Sequence, residues 1–424
     1  MTALAAAHRR GLCPGLSAPM QTGDGLLVRL HPLGTTSLFA FAQLCAAART
    51  HGNGIVEITS RGSIQVRGLN AVSAPHFAAQ IAALGIAAED GVPILCNALA
   101  GIGAEEIFNA AGLAADLRRR LAQRATPVKL SAKVCVAVDG GGAPDLADIA
   151  SDIRLTAQAF NGGVALRVGI GGDEAGAIDL GTVAFAHGVE TATRLLDVIA
   201  RAGRDRRARD ILAAEDAAVF RAAITDLLHE DSPPLVRRQS REPIGLHRLH
   251  DGSLACGVGL AFGHADTTSL ERLAGAAAAA GASGLRAAPG RVLMTIGLTA
   301  ETAGAFAAVA EQLGFIVQAD DPRRHVVACA GAPICASAYI RARAIAPRIA
   351  EIAGLHIGGA PTVHISGCGK GCARAAPAAL TVVGTADGCA LIANGSARDI
   401  PFAVVPHHEL PSAIAKHLRE PSHV

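Results

Sequence analysis

A chain of 424 residues is long enough for two to four domains with ample buried core. Its formal net charge is +2 and 17% of its residues are charged, so no global field recruits nucleic acid or a membrane surface. Half the residues are apolar, but the longest such stretches are alanine-rich and broken by glycine, as at 273–282, and none reads as a membrane span. The opening carries a short apolar run before His8-Arg9-Arg10, the reverse of the order in a secretory signal. Ten cysteines without such a signal suit a reducing compartment and metal chemistry, so the expected location is cytoplasmic. There are 34 arginines but four lysines: Lys129, Lys133, Lys370 and Lys416. Where arginine supplies nearly every cation, a retained lysine points to a need for a compact ammonium.

In chain order, residues 26–31 (Leu-Leu-Val-Arg-Leu-His) read as a strand, and Thr35-Thr36-Ser37 offers an N-cap for a helix ending near Gly52. Strands follow at 54–60 and 63–67, joined tightly through Arg61-Gly62, and then a helix at 73–84. The order is β-α-β-β-α. It returns in the second half with a strand at 255–260 and with Thr267-Thr268-Ser269-Leu270, which repeats Thr35-Thr36-Ser37-Leu38 outright. A helix to Gly281, strands at 285–287 and 292–297 around Pro289-Gly290, and a helix at 301–313 complete the second copy. Such self-similarity implies duplication of half the chain. Nearly the same displacement pairs Cys96 with Cys329, and Lys129-Leu-Ser131 with His364-Ile-Ser366. Between the copies are expected a strand at 164–170, a loop at Gly169–Gly172, helices near 189–202 and 214–229, and a linker at Asp231-Ser-Pro-Pro-Leu. The last segment alternates strands (325–330, 361–366, 379–384, 389–393) with a helix at 336–354 and a closing helix near 409–419.

Four cysteines stand out. Cys329 and Cys335 form C-x5-C, and further along Cys368 and Cys372 form C-x3-C. Thiolates are soft ligands, so four of them suit an iron–sulfur cluster or zinc. Structural zinc favours pairs two to four residues apart, which argues mildly for the cluster. Gly367, Gly369 and Gly371 leave the backbone free to approach a bulky group and to aim N–H groups at its sulfurs. The plainer reading is four unrelated buried thiols. Elsewhere, Gly169-Ile-Gly171-Gly172 and Gly257-Val-Gly259 lack the full dinucleotide fingerprint, so no nicotinamide domain is visible. Cys13 reads equally as a site residue or a structural one.

The cysteine spacing, with its Ser-Gly-Cys-x-x-x-Cys surround, resembles the cluster signature of sulfite and nitrite reductases. Arg-Gly-Leu-Cys-Pro-Gly-Leu (10–16), running into Met-Gln-Thr-Gly-Asp-Gly-Leu-Leu-Val-Arg-Leu (20–30), is similar to the precorrin-3B synthases of cobalamin biosynthesis. The resemblance covers nearly the whole chain. It implies an α+β fold built as a pseudo-twofold duplication, with ferredoxin-like half-domains at 1–88 and 234–320. It further implies a tetrapyrrole-pocket lobe at 89–233 and a lobe at 321–424 holding a [4Fe–4S] cluster on Cys329, Cys335, Cys368 and Cys372. In siroheme reductases the last of these cysteines, here Cys372, also bridges to the siroheme iron.

The implied substrate-binding cations are Arg29, Arg61, Arg67, Lys129, Lys133, Lys370 and Arg374, and the candidate catalytic pair is Lys129 and Ser131. Arg61 opens Arg-Gly-Ser-Ile-Gln-Val-Arg67, similar to the reductases' Thr-Arg-Gln-Thr-Phe-Gln strand, and Lys129 follows Pro127 as in their Pro-x-Lys-x-Lys motif. On a strand, residues 129, 131 and 133 would share a face. Two departures matter: Ser131 replaces the second lysine of that motif, and Val92 stands where an arginine is expected. Six-electron reduction of sulfite or nitrite needs a dense cationic crown, so losing two members disfavours it. Tetrapyrrole binding survives, since siroheme and precorrin-3A both carry eight carboxylates. The resemblance thus implies O2-dependent conversion of precorrin-3A to precorrin-3B, with electrons from a separate NADH-dependent donor protein and with non-haem iron beside the cluster. No triad of two histidines and a carboxylate stands out for that iron. The rival readings are a siroheme-dependent sulfite or nitrite reductase, a non-catalytic tetrapyrrole or iron–sulfur carrier, and a structural zinc protein.

Overall fold

The computed structural model describes residues 14–86, 88, 91–124, 129–160, 162–232, 240–355, 362–374 and 376–419. Arg10–Cys13, Pro127 and residues 233–235 of the expected linker lie outside the described residues. The first unit runs β1 (Met20–Thr22), β2 (Gly25–Leu30), β3 (Thr36–Ser37), α1 (Leu38–His51), β4 (Ile55–Ile58), β5 (Ile64–Leu69) and α2 (Ser73–Ala83). The second runs β6 (Ile94–Cys96), α3 (Ala110–Ala122), β7 (Val136–Asp139), β8 (Ser151–Phe160), β9 (Gly163–Gly172), β10 (Ile178–Ala184), α4 (Gly188–Ala202), α5 (Ala208–Glu215) and α6 (Ala218–Ala223). The third repeats the first: β11 (Gly245–Arg248), β12 (Leu254–Gly259), β13 (His264–Asp266), α7 (Thr267–Ala279), β14 (Gly284–Ala288), β15 (Val292–Leu298) and α8 (Ala300–Gln312). The fourth holds β16 (Val326–Ala328), α9 (Ala342–Gly354), β17 (Val363–Ser366), β18 (Ala378–Thr385), β19 (Gly388–Gly395), β20 (Ala403–Val405) and α10 (Leu410–Arg419).

The repeated Thr-Thr-Ser segments act at helix starts. Ser37 caps α1 by accepting the Ala40 N–H at 3.2 Å, while Asp266 caps α7 by accepting from Ser269 N–H. Along α1 the buried residues Phe41, Leu44, Cys45 and Ala48 recur at helical spacing, and Arg49 and His51 sit at the electronegative end. Between β4 and β5, Gly62 has φ +77 and lies against Ala288 of the other copy, where a Cβ would come within 2.8 Å of the Ala288 carbonyl carbon.

The described strands form four five-stranded sheets. Two of them, β1-β2-β5-β4-β13 and β11-β12-β15-β14-β3, exchange a strand reciprocally. Asp266 of β13 pairs with Ile55 of β4, and Thr36 of β3 pairs with Leu285 of β14. The exchange is backed by a single apolar core that runs from Phe41, Leu44 and Phe77 to Leu270, Leu273 and Phe306. The two copies therefore complete each other's sheets and share one interior.

The other two sheets, β10-β9-β8-β7-β6 and β16-β17-β18-β19-β20, are twins. Each has three parallel strands followed by two antiparallel ones. The helices that cross between the first two strands start at Ala110 and Ala342, displaced by as much as Thr35 is from Thr267. The strands that follow, β7 from Val136 and β17 from Val363, are closer together than that, because the intervening loop of the second lobe is five residues shorter.

That deletion corrects two expectations. In sheet register Cys96 is opposite Val138 and Ala328 is opposite Ile365, so Asn97, rather than Cys96, occupies the place of Cys329. Likewise Ala137, rather than Lys129, occupies the place of His364. Residues 129–133 form a turn ahead of β7, closed by the Val134 N–H on the Ser131 carbonyl at 2.9 Å, so Lys129, Ser131 and Lys133 share no strand face. Gly169–Gly172 completes β9 instead of forming a loop, and Gly257-Val-Gly259 lies within β12. The helix expected at 214–229 is broken at Asp216, whose φ is +68, and the helix expected from 336 begins at Ala342 because 329–341 wraps the cysteines.

Candidate functional site

Alternation along strands builds one wall of a cavity of about 550 Å³. Arg29 and His31 leave the β2 strand on one side, and Ser63, Gln65 and Arg67 do the same at β5. Glu57 of β4 lies beside them, His264 faces Glu57 across the exchanged strand pair, and Arg291 enters at the start of β15. The opposite wall brings Val327, Ala328 and Cys329 from the end of β16, and Cys372 and Ala373 from the loop after β17. Met20, Ile58, Leu95 and Phe262 supply apolar surface, and Lys133 closes one side. Phe262 and Arg291 hold φ values of +61 and +66. Non-glycine residues there carry strain on the order of 1–3 kcal/mol each, a cost concentrated at binding sites.

Of the site residues expected from sequence besides the cysteines, Arg29, Arg61, Arg67 and Lys133 line this cavity, whereas Lys129, Ser131, Lys370 and Arg374 are not among its lining residues. Lys370 reaches Ser337 Oγ at 3.0 Å, and Arg374 donates to the Pro377 carbonyl. Sequence reasoning missed His31, Gln65, Glu57, His264 and Arg291. The first two were signalled by period two from Arg29 and Arg67; the others depend on chain crossings that no local pattern reveals.

The cationic wall is not uniform. Arg67 makes a two-pronged bond to Asp24 at 2.7 and 2.8 Å and stands 3.7 Å from Glu57. Glu57 also receives Arg343 and Gln65, and Gln65 Oε1 accepts from Arg29 at 2.9 Å. Burial opposes the Arg67 charge, but the Asp24 bond and the Glu57 and Asp24 charges outweigh it and raise its pKa. Beside Cys372, Arg67 is thus matched by carboxylates. Towards Arg61 and Lys133 no carboxylate is among the lining residues. There, burial and the charges of Arg29, Arg61 and Arg118 push His31 down to about 4, leaving a neutral imidazole 3.2 Å from Ser63 Oγ.

The four expected cysteines converge on this end of the cavity. Burial raises the Cys329 and Cys372 thiols; Cys329 feels Cys335 and Cys368, and Cys372 feels all three others. Among the described residues no three His, Cys, Asp or Glu side chains close on a point that would hold a single metal ion. Zinc, with bonds of about 2.3 Å to sulfur, needs that closeness. By the same test His31, His264 and Glu57 do not form a site for a non-haem iron. The surround does fit a larger four-thiolate group. Gly367 donates its N–H to Cys329 Sγ at 3.0 Å, a Cβ on Gly367 would lie 2.7 Å from Ala338 Cβ, and a Cβ on Gly23 would collide with Cys335 Sγ. Glycine backbone thus cradles the sulfurs and aims donors at them.

Residues 18–84 match the family described as the nitrite/sulfite reductase ferredoxin-like half domain. Over 412 residues the chain is 38% identical to a precorrin-3B synthase from a Sinorhizobium species, covering 97% of this chain and 88% of the relative. The chain belongs to the precorrin-3B synthase family. This family lies within the sulfite/nitrite reductase superfamily of oxidoreductases. A sulfite reductase [ferredoxin] 2 from Mycolicibacterium paratuberculosis is 25% identical over 75% of this chain and 62% of its own length. The Mycobacterium tuberculosis NirA structure superposes with a TM-score of 0.72 at 20% identity, covering 93% of this chain and 80% of that one, which shows the duplicated two-lobed fold. Among the described residues no helix is long and apolar enough to cross a membrane.

Proposed function

We propose that this member of the precorrin-3B synthase family converts precorrin-3A to precorrin-3B. One atom of O2 hydroxylates C20 and the ring A acetate closes a γ-lactone. The other oxygen atom leaves as water with two electrons and two protons, which a separate NADH-dependent protein supplies. The observation that carries this reading is one cavity joining a cationic, carboxylate-poor end to two of the four convergent cysteines. Cys329, Cys335, Cys368 and Cys372 would hold a [4Fe–4S] cluster, which when bound supplies single electrons next to the substrate.

The chain's own groups divide the remaining work. Arg29, Arg61 and Lys133 bind carboxylates of the macrocycle, and Met20, Ile58, Leu95 and Phe262 pack on its face and exclude water. His31, neutral at pH 7 and poised against Ser63, can hold or pass a proton at a ring nitrogen. Lys129 and Ser131 flank the cavity through the turn that places Lys133 and take no part in the wall.

The similarity to a sulfite reductase favours a second reading, in which the same cavity holds siroheme as a cofactor. An ultraviolet–visible spectrum with metal analysis on anaerobically purified protein separates the two. A broad iron–sulfur shoulder without tetrapyrrole bands, together with precorrin-3A turnover in the presence of a reductase, NADH and O2, is the expected result. Sharp bands that survive dialysis and match siroheme on extraction would replace the first reading with the second.

A further inference from the structure

The turn Thr22-Gly23-Asp24-Gly25 joins β1 to β2 in the first half of the chain, yet it is seated on the cysteine loop of the last lobe. The Gly23 carbonyl accepts the Ala336 N–H at 2.9 Å, and a Cβ on Gly23 would collide with Cys335 Sγ. The next residue, Asp24, is fully buried at its side chain, accepts from Thr22 Oγ1 at 2.7 Å and grips Arg67 with both oxygens. Arg67 in turn lines the cavity with Cys372. The turn therefore touches one cysteine through its backbone and answers for the charge beside another.

We infer that the buried Asp24–Arg67 pair sets the reduction potential of the group held by the four cysteines. This rests on the cluster reading above. A cluster that accepts an electron gains a negative charge, and in a poorly solvated surround the nearest fixed charges decide how readily it does so. Arg67 shares the cavity wall with Cys372, so its charge favours the reduced form. Asp24 cancels part of that effect. It also fixes the guanidinium, since an arginine with only a tenth of its side chain exposed needs a partner to stay ordered. Glu57, at 3.7 Å, adds a weaker second brake that it shares with Arg343. Asp24 and Arg67 are positioning residues here: they act through the cluster and not on the reacting atoms.

The pair makes a test whose two arms move in opposite directions. Asp24→Asn, nearly isosteric, leaves the Arg67 charge uncompensated and is expected to raise the potential. Arg67→Gln leaves the Asp24 carboxylate uncompensated and is expected to lower it. Each shift should reach at least a tenfold change in the one-electron equilibrium, about 59 mV. The double variant should return close to the wild-type value. The readout is an anaerobic redox titration of the purified full chain followed by electron paramagnetic resonance, after iron and sulfide analysis. A wild-type protein without stoichiometric iron and sulfide overturns the cluster reading and this inference with it. A cluster whose potential stays fixed, or moves the same way in both variants, overturns the inference alone. Should one variant fail to retain its cluster, the other carries the test alone: a shift of its expected sign supports the inference and an unmoved or opposite shift overturns it.

Discussion

The two lobes share a sheet, a crossover helix and a register, and differ at the tip where the first two strands end. In the first lobe Asn97 fills the tip. Its side chain accepts the Gly140 N–H at 2.7 Å and donates to Asp139 and to the Pro144 carbonyl, while Asp139 also accepts from Gly141 and Leu146. In the second lobe Cys329 stands at the place of Asn97, and the Gly367 N–H donates to its sulfur instead. The first tip closes on its own hydrogen bonds. The second presents the Cys329 thiol and the Gly367 N–H in their place. Duplication thus supplied one frame twice, and a handful of side chains decided which copy gathers the cysteines.

The largest effect should come from the cysteines. Cys368→Ala or Cys372→Ser should remove iron and sulfide altogether, as measured by chemical analysis and loss of visible absorption. In the first lobe, Asp139→Ala leaves three buried donors without their acceptor and should cost at least about 3 kcal/mol in urea unfolding. It should do so with the second lobe's iron content retained in whatever protein folds.

A smaller effect separates the lobes by pH. His364 is buried with neither ring nitrogen hydrogen-bonded among the described residues, where the first lobe has Ala137. Burial, with Arg374 and Arg291, pushes it down to about 4 from an unfolded value near 6.5. As pH falls through that window the unfolded chain takes up the proton first, so the stability present above about pH 6.5 is progressively lost towards pH 4. The loss is at most about 3 kcal/mol, and His364→Ala should flatten it in unfolding curves taken at pH 7 and pH 5. Smallest of all, Cys96→Ser should leave iron content unchanged, because Cys96 is one residue out of register with Cys329. Loss of iron there would break the lobe alignment.

The duplication was legible because Thr35-Thr36-Ser37 and Thr267-Thr268-Ser269 carry a local job, starting a helix, that leaves a local signature. The approach of the four cysteines to one another was legible because they stand in two tight pairs, C-x5-C and C-x3-C. The deletion after α9 was not, since nothing near Lys129 or His364 marks the missing residues, and matching the two segments by their shared serine placed them wrongly. The exchanged strands β3 and β13 are two and three residues long, too short for any periodicity. The pairing of Glu57 with Arg343 joins positions 286 residues apart and exists only once the lobes have met. Uniform positive charge was the natural reading of Arg29, Arg61 and Arg67. Asp24, adjacent to a glycine that packs on Cys335, turned one of the three into a neutralised pair.

The reciprocal exchange of β3 and β13 has a consequence for synthesis. While the chain emerges from the ribosome, β4 has no outer neighbour until His264–Asp266 has been made, after the whole of the first lobe. Through that interval its outer backbone donors and acceptors and the part of α1 that packs on α7 remain uncovered, open to chaperones or to other nascent chains. Slowing elongation between β10 and β13 should therefore raise aggregation of the nascent protein more than slowing it beyond α8.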